Sequence, residues 1–230
     1  MGSDNRTLRE LTKTENITDL LLERIVKGDL PAGSKISEPE LAKQHEVSRG
    51  PLREALTRLE ALGLIERIAH VGARVVSITS TKLVELYTIR EALEGMAARL
   101  AARHITANEI QQIEALLVQH EQHIESEQAK FYFHQQGDFD FHYLIIKASR
   151  NERLIRLLCD ELYQILRMIR FQSPRSHTNP DEALSEHRAI LKAITDHDEE
   201  FAEMLMRRHI ANSGRLIEAK MINKEKSDEK

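Results

Sequence analysis

The sequence predicts a mainly α-helical chain built as two domains, and three observations predict it. Apolar residues recur at three- and four-residue spacing over most of the 230 residues. The composition is rich in Leu, Ile, Ala and Glu, with 4% aromatics and no Trp, a balance that favours helices. The stretch that alternates as strands do, residues 64–78, is short and flanked by helical patterns. A hydrophobic fraction of 41% supports real cores, and one core serves on the order of 100 to 200 residues. Residues 1–79 are therefore expected as one domain, 80–223 as a second, and 224–230 as a disordered tail rich in Lys and Glu.

Net charge is −4, which argues against a nonspecific nucleic-acid coat but does not decide a two-domain chain. Residues 1–79 hold 12 of the 33 Lys and Arg and 12 of the 37 Asp and Glu, so the deficit lies in the second half. A neutral first half still presents a basic surface if Arg49, Arg53 and Arg58 share one side with Lys35 and Arg74. Cys159, the one cysteine, has no internal partner for a disulfide, and no apolar run is long enough to span a bilayer or serve as a signal peptide. These features predict a cytoplasmic protein with no membrane partner.

In order, Ile17, Leu20, Leu21 and Ile25 predict a first amphipathic helix ending near Gly28, and Asp29 to Ser34 is turn-rich. Ser37 and Glu40 have capping-box spacing and open a short second helix through His45. A tight turn at Glu46-Val47 leads to a third helix with Ser48 as N-cap and Pro51 in its first turn, where a missing N–H costs little. Leu52, Ala55, Leu56, Leu59 and Leu62 form its apolar back, while Arg49, Gly50, Arg53 and Thr57 share another side. Such a side is either simply solvated or reads DNA, since guanidinium groups serve both phosphates and guanine edges. Residues 64–69 and 73–78 then flank His70-Val71-Gly72 as a hairpin with Gly72 at its tip. Three helices with a short second connection, followed by a hairpin, describe a winged helix-turn-helix.

The run LPAGSKISEPELAKQHEVSRGPLREALTRLEALGLIERIAHVGARVV resembles the GntR family of bacterial transcriptional regulators. The Pro-Ala-Gly turn, Glu-Leu-Ala, Val-Ser-Arg and Pro-Leu-Arg-Glu-Ala-Leu carry the resemblance. It implies that Ser48, Arg49, Gly50 and Arg53 contact DNA from the third helix, with the wing around His70 and Gly72 reaching the adjacent groove. Pro39 departs from the many relatives that place Arg or another polar residue there. The second helix is accordingly expected to contribute less, or to act through Lys43.

Thr79-Ser80-Thr81 reads as a linker and N-cap, and about six helices follow. The first runs to about His104 with Leu83, Leu86, Tyr87, Arg90, Leu93, Ala97 and Leu100 on one face. Thr106 and Glu109 form a capping box opening a helix through Ile110, Ile113, Leu117 and Ile124. A third spans about Gln128 to Ser149, and Asn151 opens a fourth reaching about Phe171. The fifth starts at Pro180 and runs to about Thr195, and Asp198 caps the sixth. Cys159 is expected to pack in a core.

Asp138 and His142 stand four apart on one helix side, while His187 and His209 lie on otherwise apolar faces of other helices. Three imidazoles and a carboxylate on inward faces are a ligand set for zinc, nickel, cobalt or manganese. A single inward His is, by contrast, ordinarily a satisfied core residue. His120 and His123 share a face read as solvated, and Asp140 is read as a surface residue.

The second half also resembles the FCD ligand-binding domain of the FadR branch, through Ile89 to Glu94, GDFDFHYLIIKASRN, SEHRAILKAI and RRHI. Metal-containing members use an Asp-x3-His pair and two later His, and Asp138, His142, His187 and His209 occupy those places. The resemblance implies a divalent transition metal, zinc first with nickel or manganese as other candidates, and argues against an acyl-CoA ligand. It implies a small carboxylate effector on the open metal positions, with Arg90 beside Tyr87 pairing bidentately with it and Asn212 supporting His209. An ion pair between Arg90 and a buried acid such as Glu94 is the other role open to that arginine.

No glycine-rich phosphate loop, Gly-x-Ser-x-Gly elbow or Cys/His nucleophile arrangement is present. The expected function is a homodimeric, DNA-binding repressor on a palindromic operator, modulated by the organic acid and not an enzyme. A metal-dependent enzyme using the same Asp and His residues, or a direct metal-ion sensor, are the alternatives.

Overall fold

The computed structural model describes residues 12–125, 141–172 and 180–228, in two compact units, Met1–Ser77 and Ile78–Lys230. Among the described residues no helix is long and apolar enough to cross a membrane.

In the first unit, α1 (Lys13–Lys27) is held by a Thr12/Glu15 capping box. It turns Ile17, Leu21, Leu22, Ile25 and Val26 inward, whereas Leu20 is 40% exposed, one step off the inward face. α2 (Glu38–Gln44) starts at Ser37 without the expected side-chain cap. Pro39 in the first turn removes one amide that a cap would serve.

The turn into α3 (Arg49–Ala61) puts Glu46 in the left-handed region, φ 52°. Leu52, Ala55, Leu56 and Leu59 are completely buried, against α1 among others, while Leu62 is only half-buried. β1 (Ile65–Ile68) and β2 (Gly72–Val75) pair antiparallel from Ile65–Val75 to Ile68–Gly72. His70, not Gly72, forms the tip: it takes φ 63° while Gly72 already pairs as the first residue of β2. The segment before α2 lies beside β2, with Ile36 N donating to Ala73 O at 2.9 Å.

Among the described residues the second unit contains helices in the expected order, with one difference, and residues 128–140 of the third expected helix lie outside the description. α4 (Ser80–His104) is capped by Thr79, and Thr106 and Glu109 form the predicted box on α5 (Ala107–Glu125). Then come α6 (Phe141–Ala148), α7 (Glu152–Ile155), α8 (Tyr163–Gln172), α9 (Pro180–Thr195) and α10 (Glu199–Asp228). Asp198 caps α10, accepting from Phe201 N at 3.0 Å, and the helix continues into the stretch expected to be disordered.

The fourth predicted helix is not continuous. A π-helical turn, Arg156–Glu161, joins α7 to α8 through Leu162 N donating to Leu157 O. The extra residue moves the inward face, which passes from Leu154 and Leu158 to Leu166 and Ile169. Cys159 is buried with Leu154, Leu158, Ile146 and Ala97, as expected.

α4 and α10 run antiparallel, because Arg99 meets Glu203 while Arg103 meets Glu199. Two glycines set their closeness: a Cβ on Gly95 would lie 2.6 Å from Arg207 Cγ, and one on Gly214 2.9 Å from Tyr87 Cδ1. The main core gathers Leu83, Phe141, Ile145, Ile190, Ile194 and Ile210. His120, expected on a solvated face, is 4% exposed. His123, on the same predicted face, lies among the side chains outside the description.

Candidate metal centre and nucleic-acid interface

Three helices deliver the imidazoles. His142 stands in the first turn of α6 after Phe141, His187 lies between Leu184 and Leu191 on α9, and His209 lies beside Ile210 on α10. Their nearest ring nitrogens all lie within 4.8 Å of one another. His187 Nε2 is 3.2 Å from His209 Nε2, which is 3.3 Å from His142 Nε2. Phe141 stacks on the His187 ring at 4.2 Å and 17° and closes that side. Asp138 and Asp140 lie outside the described residues.

Two carboxylates determine how the rings face. His142 Nδ1 donates to Glu94 Oε2 at 2.8 Å, and His209 Nδ1 donates to Glu186 Oε2 at 2.6 Å. Glu186 Oε1 also accepts from Asn212 Nδ2 at 3.1 Å, so Asn212 supports His209 through Glu186 rather than directly. Burial alone would raise the Glu94 carboxyl, but the Arg90 guanidinium and then His142 hold it well below the usual carboxylate range. The hydrogen bond from His209, against a smaller effect of burial, likewise lowers Glu186. Both acids are ionised at neutral pH, so both rings carry their proton on Nδ1, an assignment made from these partners.

The Nε2 atoms of His142 and His209 consequently face each other at 3.3 Å. Two imidazole nitrogens at that distance are held together by a cation between them, a shared proton or a metal ion. Nitrogens about 2.0–2.1 Å from one tetrahedral zinc are separated by about 3.3 Å, close to the spacing found. Burial first, and then the neighbouring His142 and Arg90 against the pull of Glu186, leave His209 below its ordinary imidazole value. It is thus neutral and available as a ligand at pH 7. The donor set fits a divalent transition metal.

Of the two roles open to Arg90, the ion pair is present: Arg90 Nε donates to Glu94 Oε1 at 2.6 Å, with both residues buried. Its guanidinium also sits 4.8 Å over the Tyr87 ring. Sequence reasoning missed Glu94 and Glu186 as partners of histidines. Glu186 carried a signal, being an acid adjacent to His187 in the chain; Glu94 is joined to His142 across 48 residues and carried none.

On α3, Ser48, Arg49, Gly50 and Arg53 are all exposed. Ser48 has the backbone of an N-cap, yet its hydroxyl makes no cap bond. Arg49 forms no ion pair among the described residues, whereas Arg53 Nε donates to Glu38 at 3.0 Å and Arg58 pairs with Glu54. Lys35 and Arg74 are cross-strand neighbours beside the wing. His70 and Gly72 are exposed there with Ile68 and Val71.

Comparison with known proteins agrees with both halves. Residues 13–75 match the bacterial regulatory proteins, gntR family, and residues 85–212 match the FCD domain. The chain is 34% identical over 92% of its length to the "Probable D-xylose utilization operon transcriptional repressor" of Paenarthrobacter nicotinovorans, covering 91% of that protein. It is 32% identical to the Nta operon transcriptional regulator of Aminobacter aminovorans, over 77% of this chain and 81% of that one. The fold is that of E. coli McbR/YncC (TM-score 0.68, 21% identity, 90% of this chain and 98% of that chain). It is shared with a GntR regulator from Rhodococcus sp. RHA1 (TM-score 0.70, 20% identity, 93% and 99%). A winged helix-turn-helix unit joined to a helical FCD unit, matched over these lengths, places the chain in the GntR family of bacterial transcriptional regulators, a family of DNA-binding regulators and not of enzymes.

Proposed function

We propose that the chain is a homodimeric cytoplasmic repressor whose hold on a palindromic operator is modulated by a small organic acid bound at a metal site in the FCD unit. The observation that carries this reading is the convergence of three Nε2 atoms, two of them turned inward by buried or half-buried carboxylates. His142, His187 and His209 hold the ion, with Asp138 as the fourth ligand, and zinc, nickel or manganese suits the set. When bound, such an ion supplies Lewis-acid positions for a carboxylate oxygen. Arg90 and Tyr87 border the centre through Glu94, and Asn212 through Glu186. The relatives named as operon repressors support the sign of regulation.

DNA contact rests on Ser48, Arg49, Gly50 and Arg53, with His70 and Gly72 at the wing. One winged domain offers modest affinity, and two joined domains on a palindrome gain from effective concentration. Arg53 leaves Glu38 readily, since an exposed pair is worth under about 1 kcal/mol. The test is fluorescence anisotropy at fixed salt on a duplex selected from a random pool. Arg49→Ala and Arg53→Ala are each expected to weaken binding by ~1–3 kcal/mol; unchanged affinity in both sinks the interface.

Gly50 gives a separate check. A Cβ there meets nothing within 4 Å, so Gly50→Ala should keep or raise stability, by up to ~1 kcal/mol of helix propensity, as thermal denaturation reads it. Operator affinity should fall, because the added methyl occupies space taken by the DNA backbone. Unchanged operator affinity in a variant that still folds would remove Gly50 from the interface. For the effector, small organic acids are titrated into metal-loaded and chelator-treated protein on its operator. An acid that acts only on the loaded form supports the reading, whereas release by chelator alone, with no acid active, points to a metal-ion sensor.

A further inference from the structure

We propose that Glu94 is a positioning residue for the metal centre: one carboxylate, shared between Arg90 and His142, holds the His142 ring with its Nε2 turned toward His187 and His209. The inference rests on the metal reading above and adds a residue that is not itself a ligand. Three features of the geometry carry it.

Glu94 is 1% exposed, so water does not compete for its oxygens. Each oxygen has its own partner, Oε1 with Arg90 Nε at 2.6 Å and Oε2 with His142 Nδ1 at 2.8 Å. Arg90 and Glu94 lie one turn apart on α4, a 25-residue helix packed along α10, so the carboxylate is carried by a rigid element. His142 comes from a different helix, α6, and reaches Glu94 across 48 residues of chain. Its side chain is 12% exposed, more than that of His209 at 6%. A partly exposed ring keeps one direction only if a fixed partner holds its other nitrogen, and Glu94 is that partner. Glu186 does the same for His209 from α9, so two of the three imidazoles are aimed by a carboxylate on a different helix. Aiming of this kind fixes the tautomer and the ring orientation together.

The competing role is charge balance alone, Glu94 serving only to neutralise buried Arg90. Two double variants separate the roles, because neither carries charge at these positions. Arg90→Met/Glu94→Gln retains an amide oxygen able to accept from His142 Nδ1, and Arg90→Met/Glu94→Leu does not. Replacing a buried ion pair by uncharged side chains of similar volume is generally tolerated, and thermal denaturation of the metal-free proteins checks this. Cobalt(II) and zinc affinities are measured by chelator competition, with the cobalt ligand-field spectrum as a second readout. The Gln variant is expected to bind ~10–100-fold more tightly than the Leu variant and to keep a spectrum like that of the unsubstituted protein. Equal affinities and equal spectra in the two variants overturn the proposal.

A measurement on the unsubstituted protein stands beside this one. Long-range 1H–15N NMR of the zinc-free chain should show the His142 proton on Nδ1, and a proton resting on Nε2 overturns the assignment even if a variant fails to fold. Should the unsubstituted protein bind neither cobalt nor zinc, the metal reading falls and Glu94 falls with it. That result differs from strong binding with no dependence on Glu94, which removes only the latter.

Discussion

His209→Ala is expected to abolish stoichiometric metal binding and the stabilisation that comes with it. His209 is the central nitrogen of the cluster, 3.2 Å from His187 Nε2 and 3.3 Å from His142 Nε2. Its removal leaves two imidazoles with no ligand between them and frees Glu186 to turn toward the gap. The loss should exceed the ~10–100-fold typical of an outer-shell partner. Metal per chain after dialysis, and melting with and without EDTA, measure it. The unsubstituted protein should lose stability on chelation, by ~4 kcal/mol if the free ion was present at a thousand times its Kd, while the variant should melt alike in both conditions. One full equivalent of metal in the variant would remove His209 from the site.

The same residue sets a pH dependence in the metal-free protein. The folded state holds His209 below its ordinary value of 6.5, chiefly through burial. An unfolded chain then binds the proton more readily than the folded one. The contribution from neutral, buried His209 is therefore complete above pH 6.5 and declines as the pH falls below it. Metal competes with the same proton, so metal affinity should fall in the same direction. A chelated protein whose stability is flat from pH 7.5 to 5.5 would contradict this account.

Phe141→Ala should cost about 3–5 kcal/mol, the usual range for deleting a buried phenyl ring. Phe141 is 1% exposed within the main core. Thermal denaturation should show a fall on the order of 10 °C, given roughly 2–4 °C per kcal/mol for units of this size. Because the ring stacks on His187 at 4.2 Å, metal affinity should drop as well, beyond what destabilisation alone produces. Phe141→Leu should recover much of the stability but not the stacking. A Leu variant with native metal affinity would show that the ring fills space and does not orient His187.

What could be read from the residues in order was whatever is decided within a turn or two of chain. The capping box at Thr106 and Glu109, the caps at Thr79 and Asp198, and the apolar back of α3 all formed as their spacing requires. Local rules failed elsewhere. Ser37 has the capping spacing but makes no cap bond, and Pro39 removes one amide that such a bond would serve. Gly72 looked like the hairpin tip, but strand pairing claimed it and left His70 in the left-handed region. Helical periodicity cannot register one inserted residue, so the π turn before α8 was invisible, as was the burial of His120.

The centre divides in the same way. Inward-facing histidines and the four-residue spacing of Asp138 and His142 were already in the sequence, as was the family resemblance that turned four separate residues into one candidate site. The tertiary structure alone decided that His142, His187 and His209 meet, that Arg90 is committed to Glu94, and that Glu94 and Glu186 aim two of the rings. The reason is range. Periodicity and capping report forces between residues a few positions apart, whereas the Glu94–His142 and His142–His209 contacts join positions 48 and 67 residues apart. Such contacts exist only once the packing of α4, α6, α9 and α10 has settled where each helix face points.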